Sequence, residues 1–296
     1  TINGAVLDFN DPVEVAVGTP AAAGTATLTG TTSVDFLMTV NSSVNENNNL
    51  SISSDIIGFH GRIGEASPLG TLMTDGNSAA AAGTTTFDTD QVNAAIVDIN
   101  HAAVLEMTTT INGTTSVDFA TTLDSAGGEA NALTVNSPTT GFQGAVGTVD
   151  ATTGGTDSQL GSVTTDAAGT TAINGGAVRT SGFQLYQDDV TIGANADLTS
   201  TVNGAITFDK TLNGSFTLAI NTGGTTTFNG VVGGTAEPTS LTTDDDLTDG
   251  GAELTVFNTS AINADVVVIN DALEIAQNVT VKADTSVNFN NTIDSS

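Results

Sequence analysis

The sequence predicts an all-β protein and, within that class, a parallel β-solenoid (β-helix). Three observations predict it. Short alternating runs such as Leu133-Thr134-Val135 and Leu254-Thr255-Val256 are bounded by Gly, Asn and Asp, which is how strands are punctuated. A set of sequence blocks recurs in fixed order along the chain. Phenylalanines inside those blocks are spaced by about one solenoid coil.

Composition favours strands over helices. Only 12% of the 296 residues are charged, Glu is uncommon, and Lys and Arg total 4. Long windows therefore lack a helical stripe of apolar residues backed by strong helix formers. Hydrophobic residues still reach 38%, too many for a disordered acidic tail. Cys and Trp are missing and there is a single Tyr. That leaves long backbone ladders, not disulfides or a large aromatic core, as the source of stability.

Four blocks repeat. One reads SVDFLMTV at 33, SVDFATTL at 116, AITFDKTL at 205 and SVNFNNTI at 286; its Phe residues, 36, 119, 208 and 289, are 83, 89 and 81 apart. A second reads LSISSDIIGFHGRIG from 50, LTVNSPTTGFQGAVG from 133 and LAINTGGTTTFNGVVG from 218. A third reads LGTLMTD from 69, LGSVTTD from 160 and PTSLTTD from 238. A fourth contains FNDPVEV from 9, YQDDVTI from 186 and INDALEI from 269, with a weaker copy near Ile99. Residues 1–296 thus form one continuous array of about 3.5 super-repeats of 80–90 residues, in units 1–83, 84–170, 171–250 and a partial 251–296.

Coil spacing separates two folds for such a unit. Phe36 and Phe59 are 23 residues apart, Phe119 and Phe142 are 23, and Phe208 and Phe228 are 20. One solenoid turn has that length, so each super-repeat should supply about four coils, and the chain about 14 coils and roughly 65–70 Å of rod. Inward residues should include Val34, Phe36, Ile52, Phe59, Val117, Phe119, Val135, Phe142, Ile206, Phe208, Ile220, Phe228, Val287 and Phe289. The alternative is a row of tandem antiparallel, Ig-like β-sandwich domains. It draws support from Asn-Gly at 3, 112, 174, 203, 213 and 229, the preferred two-residue hairpin turn.

The segments TTAINGGAVRTSGFQLYQDDVTIGANADLTS from 170 and ITFDKTLNGSFTLAINTGGTTTFNGVVGG from 206 resemble the giant β-strand-repeat surface proteins of bacteria. These are similar to the β-helical passenger domains of filamentous haemagglutinins and autotransporters. The resemblance implies an exported rod acting in adhesion, envelope structure or matrix, with no catalytic residues to carry over.

Charge narrows the partners. With 33 acids against 4 cations the formal charge is -29, which disfavours nucleic acid and anionic membrane surfaces. No apolar run is long enough for a membrane-spanning helix. The chain starts at Thr1, opens inside one repeat unit and closes inside another, just after the block SVNFNNTI. The expectation is a piece of a longer parent chain, or a subunit that meets copies of itself end to end.

Candidate chemistry is sparse. The densest acidic cluster, Asp244, Asp245, Asp246 and Asp249, is the candidate metal site. Calcium takes about six to eight oxygen ligands, which turn carboxylates and carbonyls supply. No other cofactor is expected. His60 aligns with Gln143 and Asn229 of the other copies and reads as an outward polar position. His101 replaces the acid or amide of its block, and neither His has a second His or a Cys nearby. No nucleophile motif or phosphate loop occurs. The expectation is a non-enzymatic, extracellular structural protein of a cell-surface fibre or envelope layer. The alternative is an adhesin that binds through loops such as Ser43 to Asn49 and Thr148 to Gln159. A third alternative is a β-helical polysaccharide-active enzyme, which needs paired carboxylates.

Overall fold

A computed structural model describes residues 1–19, 22–76, 83–148, 158–244 and 253–296. Among these the chain is strand and turn with no helix, and it winds through about 12 parallel turns of a β-solenoid. At about 4.8 Å per turn the stack is roughly 55–60 Å long.

The cross-section is triangular. Each turn gives one strand segment to each of three faces, and inward residues stack from turn to turn. On face one the stack runs Phe9, Phe36, Phe59, Phe87, Leu105. It shifts by two residues in the next strand and continues along the same face through Leu123, Val146, Val178, Leu198, Ile220, Thr243, Ile269 and Phe289. Face two carries Val40, Ile63, Val92, Ile111, Val135, Thr165, Tyr186, Phe208, Phe228, Phe257 and Ile275. Face three carries Ile52, Thr74, Ile99, Phe119, Phe142, Ile173 and Ile192, then Leu212, Val232, Ile262 and Val281.

The pairings of Phe36 with Phe59, Phe119 with Phe142 and Phe208 with Phe228 are the three one-coil spacings of the sequence. Rings pile up in consequence: Phe36 and Phe59 have centroids 5.2 Å apart at an interplanar angle of 6°. The expected inward residues are buried except Val287, which is 39% exposed, and Phe289, which is half-buried. Both lie in the outermost described coil, covered on one side only.

The repeat is out of phase with the triangle. From Phe36 the chain steps through Val40, Ile52, Phe59, Ile63, Thr74, Phe87, Val92, Ile99, Leu105 and Ile111, so Phe119 is the eleventh stacked position among the described residues. From Phe119 the steps are Leu123, Val135, Phe142, Val146, Thr165, Ile173, Val178, Tyr186, Ile192 and Leu198, and Phe208 is again the eleventh. From Phe208 they are Leu212, Ile220, Phe228, Val232, Thr243, Phe257, Ile262, Ile269, Ile275 and Val281, and Phe289 is the eleventh. Eleven strand segments at three per turn make three and two-thirds turns, not the expected four. The coil count therefore falls short of 14. Each super-repeat is also rotated by one face against the last. Phe36 lies on face one, Phe119 on face three, Phe208 on face two, and Phe289 returns to face one.

One loop recurs in each of the first three units. After Ile63, Val146 and Val232 comes a Gly with φ of 65°, 71° and 67°, at Gly64, Gly147 and Gly233. A side chain there would be strained and would also meet a carbonyl of the next coil, for example that of Asn93 at Gly64. The chain just beyond is tied to the preceding coil: Ala66, Thr148 and Thr235 donate their N–H to Asn41, Asp124 and Asn213.

The direction of pairing rules out the sandwich alternative. The long ladders are parallel, and pairs such as Ile56 with Thr84, Thr170 with Asp189 and Thr225 with Leu254 cross the unit boundaries. The one antiparallel pairing among the described residues joins Gly18–Thr19 to Ala22–Ala23, and no Asn-Gly forms it. Asn112 instead sits in a strand, where its Nδ2 donates to Asn93 Oδ1 at 2.8 Å and its Oδ1 accepts from Asn136 at 2.7 Å.

Candidate functional site

Of the candidate calcium ligands, Asp244 is placed: it follows the strand Ser240–Thr243, has φ of 51° and is 1% exposed. Its N–H donates to the Ile220 carbonyl at 2.7 Å, and its carbonyl accepts from Asn270 at 2.9 Å. Asp245, Asp246 and Asp249 lie outside the described residues.

The carboxylates that the described residues do bring together are Glu237, Asp265 and Asp284, whose oxygens lie within 4.8 Å of one another. They come from neighbouring turns. Asp265 sits at the bulge in Ala261–Ile269, which pairs with the strand bearing Asp284, and its N–H donates to the Pro238 carbonyl. Lys282 already occupies the cluster, 2.9 Å from Glu237 and 3.6 Å from Asp284. The hydrogen bond to Glu237, with the charge of Asp284, holds the ammonium above its ordinary range. A cation entering here must compete with that ammonium. The cluster is not legible in the sequence, because its members are a coil apart and only the register joins them.

The interior holds a second set of polar groups, one at each kind of corner. Asp188, 0% exposed, accepts from Thr165 Oγ1 at 2.7 Å and from Thr171 Oγ1 at 2.8 Å. Asp271 accepts from Thr243 Oγ1 and Thr255 Oγ1, both at 2.8 Å. In the first copy the same place is taken by His101, 2% exposed, with Nδ1 3.4 Å from Thr85 Oγ1, which donates to Thr74 Oγ1 at 3.0 Å. The third and fourth sequence blocks meet here. The TD of one supplies Thr74, Thr165 and Thr243, and the other supplies His101, Asp188 and Asp271.

Burial pushes the Asp188 carboxyl above the usual carboxylate range, against the two Thr hydroxyls that lower it. Burial likewise holds His101 below its ordinary value, partly opposed by the backbone of Ala102 and Asp75 and by the charges of Asp75 and Asp55. Tyr186, sealed next to the Asp188 corner, donates to Gln184 Oε1 at 3.0 Å, and burial raises its hydroxyl strongly.

Outside, His60 is exposed as expected, with Nδ1 3.1 Å from Asp88 and Nε2 4.0 Å from Asp35. Asp35 is raised by burial and by Asp8, its partner on the adjacent strand, and lowered by His60. Arg62 forks onto Asp90 and also reaches Glu65, each contact at 2.7 Å.

The loop Ser43 to Asn49 is stapled by buried Asn48, whose Nδ2 donates to the Val15 carbonyl at 2.9 Å and whose N–H donates to Ser42 Oγ at 2.7 Å. It leaves Val44 74% exposed, beside a groove of about 270 Å³ lined by Pro12, Glu14 and Asn41. Of the other loop, Thr148 to Gln159, residues 149–157 lie outside the described residues. A groove of about 320 Å³ lies at Thr148, Arg179 and Asp197. Both grooves are at or near the lower limit for small-molecule sites.

Comparison with protein-family models, with curated proteins and with solved structures finds no match to this chain.

Proposed function

We propose that the chain is a non-enzymatic, extracellular structural segment of a cell-surface fibre or envelope layer. The observation that supports this reading is the continuity of its three ladders. Backbone pairing, in places through single bridges, runs from turn to turn through the described residues, over a side-chain stack that is sealed except in the outermost coils. Each coil is held by its neighbours, so stability grows with coil number. Such a body transmits length and load without needing a pocket. Its natural partners in this role are further coils, whether of a parent chain or of other copies. The acidic surface takes up cations from solution, and calcium at the Asp244 turn belongs to the same reading.

Labelling intact and permeabilised source cells with an antibody to this chain tests the location. Signal on intact cells is expected; signal only after permeabilisation overturns the reading. Turnover of acidic or neutral glycans by the purified chain would overturn the non-enzymatic part.

A second reading is an adhesin. It is favoured by the groove beside the stapled loop Ser43 to Asn49, which presents exposed Val44 from a fixed base. Replacing that loop by a short turn should abolish attachment to the partner surface if the adhesin reading holds, and leave it unchanged if the chain is only a scaffold.

A further inference from the structure

The three polar corners are built alike but carry different titratable groups. At the Asp188 corner a sealed carboxylate is held by two neutral hydroxyls, and the acid facing it is Asp166, with Tyr186 alongside. At the His101 corner a sealed imidazole takes the same place, and the acids facing it are Asp75 and Asp55. Its Nε2 has no hydrogen-bond partner among the described residues. The ring also lies 3.3 Å from where a side chain on Gly83 would begin.

We propose that the solenoid responds to acid with opposite sign at these two corners, loosening around His101 and tightening around Asp188. Adding a proton to Asp188 removes a sealed charge and lets the carboxyl donate as well as accept. Adding one to His101 creates a sealed charge where a neutral ring was packed. Proton linkage sets the signs. A carboxyl whose folded value lies above its unfolded one makes the fold gain stability as pH falls through that raised value, and the gain is complete below the unfolded value of 3.8. An imidazole whose folded value lies below its unfolded one makes the fold lose stability as pH falls through 6.5. Both act in the weakly acidic range between.

Hydrogen exchange on the full chain, compared at about pH 7 and about pH 4.5 and corrected for intrinsic rates, reads both corners at once. Protection should fall over residues 84–105 and rise over 170–192, each by at most about tenfold per pH unit for one proton. His101→Asn should remove the fall, and Asp188→Asn the rise. If either variant fails to fold, the wild-type ratio of the two segments decides alone. A ratio that does not change with pH overturns the proposal, as does a fall that persists in H101N or a rise that persists in D188N.

Discussion

The ring stack of Phe36, Phe59 and Phe87 and the corner of Thr165, Thr171 and Asp188 are both sealed from water, yet they hold the coils in different ways. The rings meet face to face at 5.2 and 5.7 Å, and their attraction has no required partner atom, only shape. The corner works through named donors and one acceptor group, so it depends on keeping that acceptor. The ring stack can thus be interrupted by Leu105 and resume on another face, whereas the corner recurs with the same two hydroxyls each time.

Removing a ring tests this difference most severely. Phe59→Ala should cost about 3–5 kcal/mol, read as a lowered midpoint in denaturant, while Phe59→Leu, which keeps most of the volume, should cost clearly less. A Leu variant as damaging as the Ala variant would mean that ring geometry, not filling, matters.

At the corner, Asp188→Ala leaves two sealed hydroxyls without their acceptor and should cost about 1–3 kcal/mol at neutral pH. Asp188→Asn keeps an acceptor and should cost less. An alanine variant as stable as the native chain would show that the corner contributes no directional hold.

Outside both regions the expected effects shrink. Gly64→Ala should cost about 1–2 kcal/mol for the left-handed residue alone, and more for its contact with the Asn93 carbonyl, in the same assay. The smallest effect is expected on the surface. Arg62→Ala removes an exposed fork and should leave the denaturant midpoint close to the native one, with any loss vanishing at high salt.

The ring stacks are legible in the sequence because a one-coil spacing between identical residues is itself a statement of register. The corners are not. Asp188 is one of two adjacent acids and Asp271 a lone acid after a strand, with nothing in either to mark an inward position, and His101 reads as an ordinary strand residue. What seals them is the Thr of a neighbouring coil, a contact that sequence distance hides. The expected coil count is too high for a related reason: the length of a super-repeat says nothing of how many strands it contains, and eleven is not a multiple of three. The metal candidates are legible only as composition. Asp244 is buried at a strand end, while the triad that does assemble draws single acids from separate turns.

The one-face rotation of each unit has a mechanical consequence. A beam whose stiff aromatic seam stayed on one side would flex most easily in one plane and curl when pulled. Here the seam passes to a new side with every unit. Over three units the seam visits all three faces, so no single plane of bending is favoured by where the rings lie.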